Sequence, residues 1–157
     1  RTIVIFNEEW HKGVIGIVAS RLTEIYYRPA VVLTRTNDMA TGSARSVSGF
    51  DVYKAIEHCR DLLENFGGHT YAAGLSMKAE NVEEFTRRFE EYVANNILPE
   101  QRSAVIDIDA EIDFRDITPK FHSDLKRFNP FGPDNHKPVF CTHHVYDYGT
   151  SKYNDFF

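Results

Sequence analysis

Three short stretches carry residue types able to grip an anion. The first is Gly67-Gly68-His69. Adjacent glycines let the backbone take positive φ and admit a ligand closely, so exposed amides can cradle a phosphate. An imidazole beside them can donate to the same oxygen, best when protonated. A Gly-Gly pair alone more often just turns the chain. The second is Gly42-Ser43-Ala44-Arg45-Ser46. In a strand, Ser43 and Arg45 share a face, and small neighbours leave that face open. An arginine fork matches phosphate bidentately, although a solvated strand face explains the same arginine. The third is Trp10-His11-Lys12-Gly13 leading to Gly16. A basic, glycine-bearing helix start can hold an anion through free amides and the helix dipole. The same glycines also suit tight helix–sheet packing.

Other chemistries read poorly. Cys141, His143 and His144 are close in sequence, but a strand puts Cys141 and His143 on one face and His144 on the other. The spaced Cys/His pairs of a structural zinc site are missing, as is a carboxylate–histidine set for two metals. Neither a nucleophile elbow nor a phosphate loop ending in Gly-Lys-Ser/Thr occurs. The expectation is a chain without its own catalytic or metal centre.

The elements that must position these stretches follow from periodicity. Thr2–Phe6 reads as a short buried strand. Val14, Ile15, Val18, Leu22, Ile25 and Tyr26 mark one helical face, ended by Pro29, and Ala30–Leu33 is the next buried strand. Thr36–Thr41 reads as a turn before the strand holding Ser43 and Arg45. Asp51 caps a helix with the stripe Val52, Ala55, Ile56, Cys59, Leu62 and Leu63. Leu75-Ser76-Met77 is strand-like, and Asn81 with Glu84 has the spacing of a capping box. The helix it opens would bury Val82, Phe85, Phe89, Tyr92 and Val93. Alternating strands and helices predict an α/β or mixed α+β fold, a sheet with packed helices, over residues 1–98. Residues 99–104 read as a linker. From 105 to 157, Val105–Ile112 and Pro138–Cys141 read as strands and Thr118-Pro119 as a helix start with Phe121, Leu125 and Phe128 on one face. Phe131-Gly132-Pro133-Asp134-Asn135 reads as a turn. Two strands and a short helix are too little for an independent core, so this part reads as a truncated domain.

Composition narrows the class without naming a function. The chain has 157 residues, 42% hydrophobic and 26% charged, which suits a globular fold with a real core. Cys59 and Cys141 are too few for a disulfide framework, and reduced thiols of a cytoplasmic protein are the expectation. No apolar run is long enough for a membrane span. A net charge of −5 advertises no polyanion binding, so any such site must be local.

Taken together, Trp10 to Leu22, Gly42 to Ser46 and Phe66 to Gly74 agree in order and spacing with one known family. The set resembles the DHH-associated domain of the DHH phosphoesterase superfamily, over about residues 1 to 98, and within it the RecJ branch of single-strand-specific exonucleases. Leu125–Phe140 is similar to the segment that opens that branch's OB-type domain. The branch commonly has glycine where Asp134 stands and proline where His136 stands. Residues after Tyr148 do not resemble the remainder, so a partial OB-like β segment is expected. The resemblance implies binding of single-stranded DNA and its degradation from the five-prime end by metal-dependent phosphodiester hydrolysis. It places Mn²⁺ or Mg²⁺ on an N-terminal DHH domain that this chain lacks, leaving no cofactor here and no activity in the fragment alone. It also implies that Arg45, assisted by Ser43, pairs with a phosphate. Gly67, Gly68 and His69 would hold the phosphate nearest the scissile bond, His69 stabilising its developing charge. His11, Arg21 and Tyr71 are weaker candidates, explained as well by packing. Two alternatives stand beside this reading. One is a DHH-family phosphatase of oligonucleotides or nucleotides, and the other a non-catalytic interaction module with architectural glycines.

Overall fold

The computed structural model describes residues 1–132, 134–146 and 149, in two units, Arg1–Ala104 and Val105–Phe157. In the first, strands β1 (Ile3–Asn7), β2 (Ala30–Thr36), β3 (Met39–Arg45), β4 (Leu63–His69) and β5 (Ala72–Lys78) form one sheet in the order β1-β2-β3-β5-β4. Helix α1 (Ile15–Tyr26) connects β1 to its parallel partner β2, and every other pairing is antiparallel. A parallel pair needs such a crossover, whereas the β2–β3 connection needs only Asn37 and Asp38, with Asn37 at φ 55°.

Helices α2 (Val52–Glu57) and α3 (Val82–Asn96) cover one face of this sheet. There Val31, Leu33, Ala40, Ala44, Leu75 and Met77 pack with Ile56, Phe85, Phe89 and Val93. On the other face Ile15 and Ala19 of α1 close over Val32, with Ile5, Val18 and Leu22 around them. Strand β2 is therefore buried on both sides, which is why Ala30-Val31-Val32-Leu33 carries no polar alternation. The mixed sheet with packed helices is the architecture that the periodicity predicts.

Several local expectations change. β1 is a half-buried edge strand rather than a buried one. Val14, Ile25 and Tyr26 of the α1 stripe are exposed, because the sheet is narrow on that side and only Ile15, Ala19 and Thr23 are buried. The turn predicted over Thr36–Thr41 shrinks, since Met39–Thr41 already pair with β5 and β2. Asp51 caps α2 through Lys54 N–H, but the helix stops at Glu57; a 3₁₀ turn then leads to Leu63, which opens β4. Asn81 does not cap α3: its amide donates to the Leu62 carbonyl, and Glu84 takes Arg87 instead. Residues 99–102, read as part of a linker, form a 3₁₀ turn pinned by Gln101, which bonds Leu98 N–H and the Gly49 carbonyl.

The second unit holds helix α4 (Pro119–Lys126) and two short parallel strands, β6 (Ala110–Glu111) and β7 (Phe140–Cys141). Thr118 caps α4 by accepting from Phe121 N–H, with proline at the first turn as its sequence predicts. The strand expected from Val105 reduces to Ala110–Glu111, and Val105, Ile106 and Ile108 are exposed. Phe128 lies past α4 and is likewise exposed. Gly132 and Asn135 exchange backbone bonds to close the expected turn. Pro133 within it, and residues 147, 148 and 150–157 of the partial β segment, lie outside the described residues. Asp134, where the related pattern has glycine, sits at φ 63°, a conformation that aspartate tolerates better than most residues.

Candidate functional site

Register decides which candidate residues meet. Arg45 pairs with Ala72, and Ala72 with His69; Ser43 pairs with Gly74, and Gly74 with Gly67. Cross-strand partners share a face, so Arg45, Ser43, Gly67 and His69 lie on one side of β3, β5 and β4. Thr41, Ser76 and Asn65 form the next row on that side. The floor between these rows is Gly67, Gly74 and Ala72, and α2 and α3 cover the opposite face. The result is an open saddle of small residues with a cation at one end. A groove of about 350 Å³ continues it past Thr41, Ser76, Asn65 and Lys12.

Arg45 is held in place rather than solvated at random. Its Nε donates to Ser20 Oγ at 3.1 Å, and its Nη1 donates to Ser43 Oγ and the Ala44 carbonyl at 2.8 Å each. Ser20 in turn donates to the Gly16 carbonyl. A Cβ on Gly16 would stand 3.2 Å from Arg45 Nη2 and 3.4 Å from Ser43 Oγ. Glycine at the first turn of α1 thus makes room for the guanidinium, and the packing and anion-binding readings of this stretch meet at one residue. That turn has no side-chain cap, so its free amides stand beside Arg45. Among the described residues no carboxylate lies within ion-pair distance of Arg45. A half-buried guanidinium without a counter-ion favours an incoming anion.

The Gly67-Gly68-His69 run is not a loop; it is the end of edge strand β4, with the turn at Thr70-Tyr71. Its glycines differ. A Cβ on Gly67 would meet nothing within 4 Å, so the open face is unobstructed there. Gly68 faces the other way with φ 150°, and a Cβ would lie 2.3 Å from the Ala72 carbonyl oxygen. His69 is exposed, and its Nδ1 accepts from Tyr71 N–H at 3.3 Å. In the neutral ring that bond leaves the proton on Nε2, free to donate outward. The turn is tied down by Ser46 N–H to the Tyr71 carbonyl and Val52 N–H to the Thr70 carbonyl.

The weaker candidates fall elsewhere. Tyr71 is half-exposed at the turn, so core packing does not account for it. Arg21 is exposed and pairs with Glu24, and His11 accepts from Gly13 N–H in its own loop. Sequence reasoning misses Ser20, whose signal is its position one turn after Gly16. It also misses Thr34, whose hydroxyl donates to the Trp10 carbonyl at 2.6 Å and anchors the loop carrying Lys12. Cys141 Sγ lies 3.8 Å from His143 Nε2, itself 3.8 Å from Glu111. Among the described residues no three such side chains gather as a metal-ligand set, and none of their helices is long and apolar enough to cross a membrane.

Known proteins resemble this chain in sequence and in fold. The DHHA1 domain family matches residues 1–95, and the RecJ OB domain family matches residues 108–152. The single-stranded-DNA-specific exonuclease RecJ of Bacillus subtilis (strain 168) is 40% identical over 138 residues, which is 87% of this chain and 18% of that protein. The crystal structure of RecJ in complex with Mg²⁺ from Thermus thermophilus aligns with a TM-score of 0.79 at 30% identity, covering 88% of this chain and 21% of that one. The corresponding complex with Mn²⁺ gives 0.76 at 31%, over 90% and 21%. The chain spans about a fifth of the length of the relatives it matches. The family match falls on the strands and helix that build the saddle, and by it the chain belongs to the DHHA1 domain family, with the RecJ OB domain pattern in its second unit.

Proposed function

We propose that this chain is the substrate-gripping portion of a RecJ-like exonuclease that degrades single-stranded DNA from its five-prime end. In this reading residues 1–98 form the DHH-associated domain, 99–104 join it onward, and 105–157 contribute part of an OB-type domain. The carrying observation is Arg45, fixed by Ser20 and Ser43 without a carboxylate partner, on the same sheet face as Gly67 and His69. Mn²⁺ or Mg²⁺ would supply the activated water from a DHH domain outside this stretch, as the metal-bound RecJ relatives suggest. The described residues of this chain do not fit as ligands for such an ion.

The chain's own residues would position and neutralise. Arg45 and Ser43 hold a phosphate against the first turn of α1. His69 donates from Nε2 to an oxygen of the phosphate nearest the scissile bond, and the bare floor at Gly67 lets the backbone come close. Gly68 contributes by shaping the strand end. Phosphoryl transfer depends chiefly on such positioning and charge stabilisation, so this domain would set rate without performing hydrolysis alone.

The test is fluorescence anisotropy of a five-prime-phosphorylated single strand at low salt. Arg45→Ala should weaken saturable binding about tenfold, within the range of a lost charge-assisted contact. His69→Ala should weaken it less. Unchanged affinity in both folded variants would refute the phosphate-gripping role.

A further inference from the structure

We propose a second phosphate-binding site at the end of the sheet, in the pocket that Arg28 and Arg102 share. The pocket has a volume of about 160 Å³ and is lined by Arg1, Tyr27, Arg28, Ile97 and Arg102. Four arginines of this unit are matched with acids: Arg21 with Glu24, Arg35 with Glu8, Arg87 with Glu84 and Glu91, Arg88 with Asp61, whereas Arg45 and Arg60 are without one among the described residues. Arg28 and Arg102 belong with the second group and differ from it in lining one cavity together. Among the described residues neither guanidinium has a carboxylate within 4.0 Å. The protein acceptor at hand is the Ile97 carbonyl, 3.2 Å from Arg102 Nη2. Glu90, near the start of β1, accepts from Thr2 N–H and the Thr2 hydroxyl. Three exposed guanidinium groups around one cavity make a locally positive patch that attracts an anion. The C-terminal ends of α1 and α3 soften the repulsion among them but leave guanidinium hydrogens unpaired.

Backbone geometry supplies a second observation. Tyr27, a bulky residue, sits in the left-handed region at φ 47°, held by its N–H to the Thr23 carbonyl. That turn carries the chain out of α1 and delivers Arg28 to the pocket. Arg28 lies two residues before Ala30, and Ala30 stands in the row of Arg45, Ala72 and His69. The pocket therefore opens at the end of the sheet where β2 begins, with Ile97 and Tyr27 on its α3 side. The ligand is a phosphate group. Its assignment to a nucleic-acid strand rests on the proposed function; the existence of the site does not.

The experiment has two arms on the whole chain, with R28Q/R102Q checked for an unchanged melting temperature. Titration with inorganic phosphate should shift the Nε–Hε signals of Arg28 and Arg102 saturably by NMR; no saturable shift overturns the site. With oligonucleotides, R28Q/R102Q should weaken a long single strand about tenfold and lower the salt slope of log K by about 0.7 per lost phosphate contact. A dinucleotide, too short to reach past Arg45, should bind unchanged. Phosphate saturation with unaltered strand binding assigns the site to free phosphate and overturns the strand assignment. If R28Q/R102Q weakens the long strand while Arg45→Ala weakens neither length, the proposed function falls and this site stands.

Discussion

The unit spanning Arg1–Ala104 encloses Leu33, Met77, Phe85 and Phe89 completely, whereas no described residue from Val105 onward is buried. Both parts are rich in apolar side chains, yet Val105, Ile106, Phe114 and Phe128 stand in solvent. What separates them is layering. A five-stranded sheet with helices on both faces gives its inward-facing apolar residues an opposing surface, while β6 and β7 offer two residues each. Among the described residues of the second unit no further strand or helix layer stands over β6 and β7 than α4. Burial thus follows from having a second layer to pack against, and apolar content does not supply one.

The largest test of that contrast is a matched pair of deletions. Phe89→Ala, in the fully buried layer beneath the sheet, should destabilise the first unit by about 3–5 kcal/mol. Phe121→Ala removes a ring 5.4 Å from that of Phe140 and should cost about 1 kcal/mol at most. Unit-resolved hydrogen exchange reads both. Equal losses would mean that the second unit has a core after all.

The same logic applies inside the first unit, between its packed and its open face. Gly68→Ala forces a Cβ into the Ala72 backbone at φ 150° and should cost about 2 kcal/mol or more. Gly67→Ala places its Cβ in open space and should stay within about 0.5 kcal/mol of wild type. If the open face binds a phosphate, Gly67→Ala should still weaken the oligonucleotide. A stable Gly67→Ala protein with full affinity would make the open floor incidental, and an equally unstable one would erase the difference between the faces.

The layered fold is legible because periodicity survives in sequence: the α3 stripe is buried at Phe85, Phe89 and Val93 as its spacing predicts. Asp51 and Thr118 are readable as caps because a cap is a local bond. Asn81 has the spacing of a cap without being one, because a nonlocal acceptor, the Leu62 carbonyl, takes its amide. The Gly67-Gly68-His69 run stands out in the sequence but not as the end of an edge strand, since two adjacent glycines carry no side-chain periodicity. That Arg45 and His69 share a row is a product of register across β3, β5 and β4, which no single stretch encodes. Ser20 is invisible for the same reason, its partner being 25 residues away.

The smallest expected effect contrasts the two thiols. Cys59 is buried in the first unit, and burial pushes its thiol up to about 11, with Arg88 pulling the other way. Cys141, in the second unit, is half-exposed. A thiol reagent at about pH 8 should therefore label Cys141 and spare Cys59 until the first unit unfolds. The pH consequence follows from the same burial. The unfolded Cys59 thiol titrates near its ordinary value of 9.0 and the folded one near 11, so the folded state holds its proton more tightly. The resulting stability is complete below the unfolded value and declines as pH rises through 9.0 toward 11. Melting of the first unit should fall across that window, and Cys59→Ala should flatten the decline while leaving Cys141 labelling untouched. Native-state labelling of Cys59 as fast as Cys141 would show that the first unit opens as readily as the second, which the sheet's two helical covers argue against.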